Sequence, residues 1–432
     1  MICILSIALK PVCRTAAKVL FSMLFLAPAT LSLAEPDPDS VTIVLAGDTG
    51  FSGNHTKVNP KGSTKYSRFL TWRQSTALIA PDINGDLNFM NVETVVTDRN
   101  DLVRDTKGQR GPFNFKTHPN GLRHLVRSGF NVASLANNHS MDYGVAGLKE
   151  TLRNLNALRA DGLLAHAGIG MTRTEASAPK TLKVKGSDIA FSAIGIVTNN
   201  LARHRARNTK PGQIAYRFDE DFAESTRRLA KTNSAYRILS IHYGVEGRVR
   251  TDARQIREWR GHAARRAGID LIVGHHAHVV RGVEMVGNSV IFYGLGNFLH
   301  HGTANMGRNG PCRSYGLLAR VHLRKSKDGR LRARAIEAIP VTETHVQTRR
   351  FKSRAQSHKR IFALNYLAAF LDDPKSGARG IRFTPQRDGS GLYCVPGART
   401  DPGKIGALCR RWQAAPPIPA ALRKSIAASC KK

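Results

Sequence analysis

The chain has 432 residues, with 66 Lys or Arg against 31 Asp or Glu and a formal net charge of +35 at pH 7. That length suits one large domain with an extension better than several small domains. So large a basic excess keeps a protein soluble and draws polyanions, but the basic residues are spread along the chain rather than clustered with aromatics, which argues against a dedicated nucleic-acid motif.

At the N-terminus Lys10, Arg14 and Lys18 precede an apolar run from Val19 to Leu33, broken by Pro28 and ending Ser32-Leu33-Ala34. This reads as a secretory signal peptide over residues 1–34, cut after Ala34. The alternative is an uncleaved anchor, for which the run is short. A periplasmic or secreted mature chain is expected, and losing the +3 of those basic residues leaves +32. Cys3 and Cys13 leave with the signal, so Cys312, Cys394, Cys409 and Cys430 remain. An even set in an oxidising space predicts two disulfides, with three possible connectivities, and the lack of a CxxC spacing argues against a cysteine metal site.

Val41–Ala46 is an apolar strand stopping at Gly47-Asp48, and a helix follows around Tyr66–Ile79 after a basic loop. Asp86–Asn91 is a second strand. A polar, charged insertion covers Asn100–Thr117, and a helix starts behind Pro119. Phe130–Ala136 is a strand ending in Asn137-Asn138-His139, and Val145–Leu158 has helical periodicity. Leu163–Ala167 and Ile189–Val197 are strands, Asp219–Lys231 is a helix, and Tyr236–Ile241 is a strand ending in His242. The helix Asp252–Ala267 leads into the strand Ile269–Val273, where Gly274 is expected to turn the backbone into His275-His276-Ala277-His278. Val279–Val286 and Ser289–Tyr293 read as a hairpin across Gly287-Asn288. Tyr315–Arg324 and Arg330–Ile339 form another antiparallel pair. After about Thr344 the pattern weakens to one helix near Arg360–Leu371 and a basic, Gly/Pro-rich extension over 344–432 that the disulfides would staple. Alternation of strand and helix predicts an α/β sandwich over 41–343.

Five apolar strands each end in metal-type residues: Asp48; Asn91 and Glu93; Asn138 and His139; His242; and His275, His276 and His278. In open α/β sheets ligands bind outside the carboxyl ends of the strands. Two divalent ions sharing a carboxylate would need about this inventory, and could polarise a phosphoryl group and activate water at neutral pH. In order along the chain stand Gly47-Asp48, Asn91-Val92-Glu93-Thr94, Asn137-Asn138-His139 with Asp142 and Gly144, His242-Tyr-Gly244-Val-Glu246, Gly274-His275-His276-Ala277-His278-Val279 and Tyr293-Gly-Leu-Gly296-Asn297-Phe298. This series, from about Val41 to Arg324, resembles the CapA (poly-γ-glutamate capsule synthesis) family, which is itself similar to the calcineurin-like metallophosphoesterases.

The resemblance implies a four-layer α/β/β/α sandwich of the metallophosphoesterase type, with the site at the strand ends. It implies Asp48, Glu93, Asn138, His242, His276 and His278 as ligands of one or two divalent ions (manganese, zinc or iron), Glu93 bridging. It implies His139 as the catalytic histidine, with His275 standing where the phosphoesterases carry Gly. Thr49-Gly50 replaces the usual x-His after the first aspartate, so a one-metal site stands beside the two-metal one.

Asp142 either orients His139 or caps the helix before Gly144. Glu246 either meets substrate or metal or pairs with Arg248 or Arg250, and Asn297 reads as a turn residue supporting the site. His300 and His301 match no ligand position and read as loop residues, bordering the cleft or exposed. Two functions follow. One is a metal-dependent hydrolase or transferase acting on a phosphoester, including lipid or glycan phosphates, or on a polyglutamate-like polymer. The other is a non-catalytic polymer-binding or export factor. Partners would be the anionic polymer or phosphorylated substrate and membrane-associated polymer-synthesis proteins.

Overall fold

The computed structural model describes residues 37–51, 62–63, 70–196, 198–302, 310–313 and 315–431. The expected signal peptide and its cut after Ala34 lie outside the described residues. In chain order the principal elements of the first half are β1 (Ser40–Gly50), β2 (Leu87–Val92), α1 (Pro119–Arg127), β3 (Val132–Ser134), α2 (Gly144–Ala157), β4 (Ala165–Ala167), β5 (Lys180–Val184) and β6 (Ser187–Gly195). There follow α3 (Asp219–Ala230), β7 (Tyr236–His242), α4 (Ala253–Gln255, continued by π-helical turns over Ile256–Arg266), β8 (Leu271–His275), β9 (Val283–Val286) and β10 (Ser289–Phe292). The remainder supplies β11 (Asn297–His300), β12 (Gly316–Lys325), β13 (Leu331–Thr342), α5 (Arg354–Ala369), β14 (Ala378–Gly380), β15 (Thr384–Pro385), β16 (Gly391–Cys394), α6 (Gly403–Cys409) and α7 (Ala420–Ser429).

Two sheets carry the architecture. One runs β15-β16-β13-β12-β1-β2-β3-β4, with β11 beside β1; the other runs β5-β6-β7-β8-β10-β9-β14. The centres of both are parallel, from β1 to β4 in the first and β6, β7, β8 and β10 in the second. Such strands are buried on both faces and read as near-continuous apolar runs, which is how Leu271–Val273 and Ile238–Ile241 look in the sequence. Ile43, Leu45 and Phe89 of the first sheet pack against Phe191, Ile238 and Val273 of the second to form the central core. The outer face of the first sheet packs Val44 and Met90 on Leu122, Leu125 and Leu148 of α1 and α2. The outer face of the second packs Leu239 and Ile272 on Phe222 and Leu229 of α3 and on Trp259. The layering is α/β/β/α.

Residues beyond Thr344 thicken this sandwich: β15 and β16 extend the first sheet and β14 the second. Two disulfides form, Cys312–Cys430 and Cys394–Cys409. The second joins β16 to α6 in a small apolar cluster with Ala335, Leu392 and Ile405. Its partners are 15 residues apart. Closing a loop of that length stabilises by about 3 kcal/mol. Cys394→Ser should lower the unfolding free energy by about that amount in chemical denaturation. An unchanged midpoint would mean that packing alone holds the segment.

Candidate metal centre

The parallel strands of both sheets present their carboxyl ends to one place. Asp48 on β1 lies in register with Asn91 on β2 and Asn297 on β11, and His242 on β7 lies in register with His275 on β8. Gly47 is needed for this convergence, since a Cβ there would sit 2.0 Å from the Gly296 carbonyl oxygen. Gly274 is needed for close approach as well, because its Cβ would meet the Tyr293 carbonyl oxygen at 2.6 Å. The turn expected at Gly274 is made instead by His276 (φ 83°) and His278 (φ 54°). A left-handed conformation costs a non-glycine residue on the order of 1 kcal/mol or more and persists only where the surroundings impose it. Here Ala277 and Val279 are locked into a buried cluster with Val249, Phe362, Leu367, Ile426 and the Cys312–Cys430 pair. Gly247 N–H also donates to the Ala277 carbonyl at 2.9 Å.

Asp48 and Glu93 are both fully buried. Asp48 Oδ1 accepts from Asn91 Nδ2 at 2.8 Å and lies 3.1 Å from His275 Nδ1. Its Oδ2 accepts from the His276 N–H at 3.2 Å and lies 3.3 Å from His278 Nδ1. Neither Glu93 oxygen finds a hydrogen-bond partner among the described residues. The imidazoles that face it stand off: His242 Nε2 at 3.3 Å and His278 Nε2 at 3.9 Å from Oε1, and His300 Nε2 at 3.5 Å from Oε2. Ligand atoms of Glu93, His242 and His276 lie within 4.8 Å of one another, as do those of Asp48, Glu93 and His278. Glu93 belongs to both sets. Asn138 Oδ1 is 2.7 Å from His242 Nε2, and Asn297 Oδ1 is 2.8 Å from His278 Nδ1. Asn91 Nδ2 also reaches His242 Nδ1 at 3.2 Å, so one amide sets both a carboxylate and an imidazole.

The electrostatics fit a cation. Burial pushes the Glu93 carboxyl well up, and the charge of Asp48 adds to it. Burial opposes the ionisation of Asp48 too, but hydrogen bonds from His275 and His278 hold it well below the usual carboxylate range. Burial, reinforced by neighbouring histidines, pulls His242 well down and His276 to about 3, so both are neutral imidazoles ready to ligate. Against the cost of burial, Glu93 and Asp48 raise His278 to about 10. The two carboxylates thus take their positive charge from a protonated histidine, in the place where a divalent ion would supply it. Buried carboxylate oxygens without partners and neutral imidazoles at such spacing suit one or two ions of the manganese, iron or zinc kind.

Beside this cluster His139 Nδ1 meets Asp142 Oδ2 at 2.6 Å, and Asp142 also accepts from the Phe115 N–H at 2.5 Å. The helix behind it begins at Gly144 with Tyr143 as its capping residue and no side-chain cap, so Asp142 serves His139 and not the helix end. Lys107, almost wholly buried, places Nζ 2.5 Å from Asp142 Oδ1 and 3.2 Å from His139 Nδ1. Burial lifts Asp142 to about 7 against the pull of Lys107, while burial and the Lys107 charge hold His139 neutral. The Phe115 ring lies on His139 with centroids 4.2 Å apart. His139, Asn138, His276, Lys107, Phe113 and Glu246 line a cleft of about 240 Å³. Glu246 is exposed at this cleft and pairs with neither Arg248 nor Arg250 among the described residues.

Three residues escaped the sequence reading. His300, read as a loop residue bordering the cleft or exposed, is the buried end of β11 and faces Glu93. His301 is buried as well, its Nδ1 2.7 Å from the Phe51 carbonyl. Lys107 sits in the charged insertion, where one Lys among so many basic residues carries no signal. His300 could have been found, because it ends an apolar strand just as His242 and His275 do.

An α/β/β/α sandwich that gathers two carboxylates, three Asn and clustered imidazoles at the joined strand ends has the donor set of a divalent-metal site. Residues 42–301 match the model of the bacterial capsule synthesis protein PGA_cap, and the chain belongs to that family. The chain is 27% identical over 239 residues to the PGA biosynthesis protein CapA of Bacillus subtilis, covering 55% of this chain and 59% of that one. It is 30% identical over 180 residues to the capsule biosynthesis protein CapA of Bacillus anthracis, covering 41% and 42% respectively. It thus spans less than two thirds of the length of these relatives. The NAD nucleotidase of Haemophilus influenzae aligns at a TM-score of 0.40 and 13% identity, over 73% of this chain and 54% of that one.

At pH 8 His278 still holds its proton, with its pKa raised to about 10, whereas ligation needs the neutral ring. Manganese or zinc binding should therefore release about one proton, and affinity should rise about tenfold per pH unit up to that value. Calorimetry in buffers of different ionisation enthalpy measures the release. A binding heat that does not change with buffer contradicts this prediction.

Proposed function

We propose that this chain acts outside the cytoplasm in the making of a capsule- or poly-γ-glutamate-type anionic polymer, through a metal-dependent hydrolase-like site. The observation that carries the reading is Glu93: a buried carboxylate with neither oxygen hydrogen-bonded among the described residues, common to two candidate ligand sets beside a cleft that His139 lines. The relatives' names, PGA biosynthesis and capsule biosynthesis, support the polymer side. Two disulfides suit an oxidising compartment, and no helix among the described residues is long and apolar enough to cross a membrane.

Asp48, Glu93, Asn138, His242, His276 and His278 would hold the ions, which when bound supply Lewis acidity and lower the pKa of water. The chain's own groups do the rest. Asp142, in its ionised form, holds the His139 proton on Nδ1 and leaves Nε2 to accept or return a proton at the substrate. Lys107 ties Asp142 and the Asn138 carbonyl to one point, fixing His139 beside the ligand Asn138. Phe115 covers one face of the imidazole and keeps water from it. The Lys107 ammonium at the cleft wall also favours a substrate carrying phosphate or carboxylate.

Elemental analysis of the purified protein should give one or two equivalents of a transition metal, lost in the His276→Ala/His278→Ala variant. In a screen of phosphoesters and polyglutamates, His139→Ala should keep the metal and lose turnover by about two orders of magnitude or more. A wild-type chain that takes up no manganese, zinc or iron on reconstitution would overturn the hydrolase reading and leave a polymer-binding cleft.

A further inference from the structure

A cleft of about 670 Å³ lies away from the metal centre, lined by Arg237, Arg265, Arg330 and Arg332 together with Asp270 and the Gly287-Asn288 turn. Arg237 is the second residue of β7 and His242 its last, so the cleft sits at the amino-terminal ends of the same strands, about 17 Å along the sheet from the ligand cluster. Nothing in the metal-site chemistry uses it.

The charges here do not balance. Arg330 pairs with both oxygens of Asp270 at 2.9 and 2.8 Å, and Arg332 pairs with Asp328. Asp270 also accepts from the Arg237 N–H at 2.8 Å. Two of the four guanidinium groups, those of Arg330 and Arg332, thus engage both nearby carboxylates. Arg237 Nη2 reaches only the Thr232 carbonyl, at 3.1 Å, and Arg265 is exposed with no ion pair among the described residues. The Nε–H groups of Arg237 and Arg332 are buried and have no acceptor among the described residues. A buried cationic donor without an acceptor costs free energy that an oxyanion would recover, and the planar guanidinium fork matches carboxylate and phosphate oxygens. Burial and the neighbouring Arg330 charge depress Arg237, as expected for cations crowded without enough counter-charge. The volume is that of a site for an organic ligand rather than for a single small ion.

We propose that this arginine-lined cleft is a second binding site, independent of the metal centre, for an organic oxyanion presenting carboxylate or phosphate groups. The exposed Arg265 guanidinium holds the anion with Arg237 and Arg332 lining the cleft beside it, while Arg330 and Asp270 form the fixed wall. The site does not depend on the hydrolase reading, since it shares no residue with the metal cluster.

The test uses the full mature chain at low ionic strength with two probes, a glutamate hexamer and inorganic phosphate, titrated calorimetrically. Because a chain this basic attracts polyanions everywhere, Arg265→Gln/Arg332→Gln is compared with Arg387→Gln/Arg411→Gln, which removes the same charge from another surface cleft. At least one probe should bind the wild type, and affinity should fall about tenfold or more in the first variant but under threefold in the second. Metal content should be unchanged in both. Binding of the hexamer alone assigns carboxylate as the natural group, and binding of phosphate alone assigns phosphate. If the first variant does not fold, Arg265→Gln alone carries the comparison, because that side chain is exposed. Equal losses in both variants, or no binding of either probe, would overturn the proposal.

Discussion

Two carboxylates buried side by side set the terms for this protein. Asp48 and Glu93 are sealed from water between two sheets, where each charge is costly and each raises the cost of the other. Asp48 is kept ionised by an amide, a backbone N–H and two imidazoles. Glu93 is left facing three histidines at distances too long for good hydrogen bonds. An arrangement tuned for stability alone would have paired Glu93 or replaced it with an apolar residue. A divalent cation bound between them would relieve that cost.

Holding that arrangement takes much of the fold. Parallel strands of both sheets aim their carboxyl ends at one spot, and glycines at 47 and 274 let neighbouring backbones approach more closely than a side chain would permit. The His276–His278 turn adopts left-handed geometry at two histidines, and the segment after Thr344 is what fastens it, through α5, α7 and the Cys312–Cys430 bridge. The basic extension is in this sense a structural part of the His276–His278 turn. The opposite ends of the same strands carry the arginine cleft, so one sheet presents two chemically distinct faces.

Much of the site was legible because its residues fall at the ends of apolar runs, and such runs are unmistakable when both faces of a strand are buried, as for Leu271–Val273 and Tyr236–Ile241. The α/β class followed from their alternation with helices. What escaped had no periodic signal. Lys107 lies in an irregular insertion, and its meaning comes only from contacts with Asp142 and His139 in space. Phe115 is one aromatic residue in a loop, and its ring on His139 is a tertiary fact. The strands after Thr344 span two to four residues, too short to show alternation, and the cysteine pairing depends on which loops the fold brings together. His300 is different, because the strand-end reasoning applied to His242 and His275 covers it too.

The most direct test of the central claim is thermal unfolding of Glu93→Gln beside the wild type, each with metal stripped and with manganese or zinc restored. The substitution keeps the size of the side chain and replaces one of its ligand oxygens with an amide nitrogen. It should abolish the rise in midpoint that metal produces in the wild type, because both ligand sets lose their shared member. A variant that gains as much from metal as the wild type would contradict the account, and Glu93 would then be an ordinary structural carboxylate.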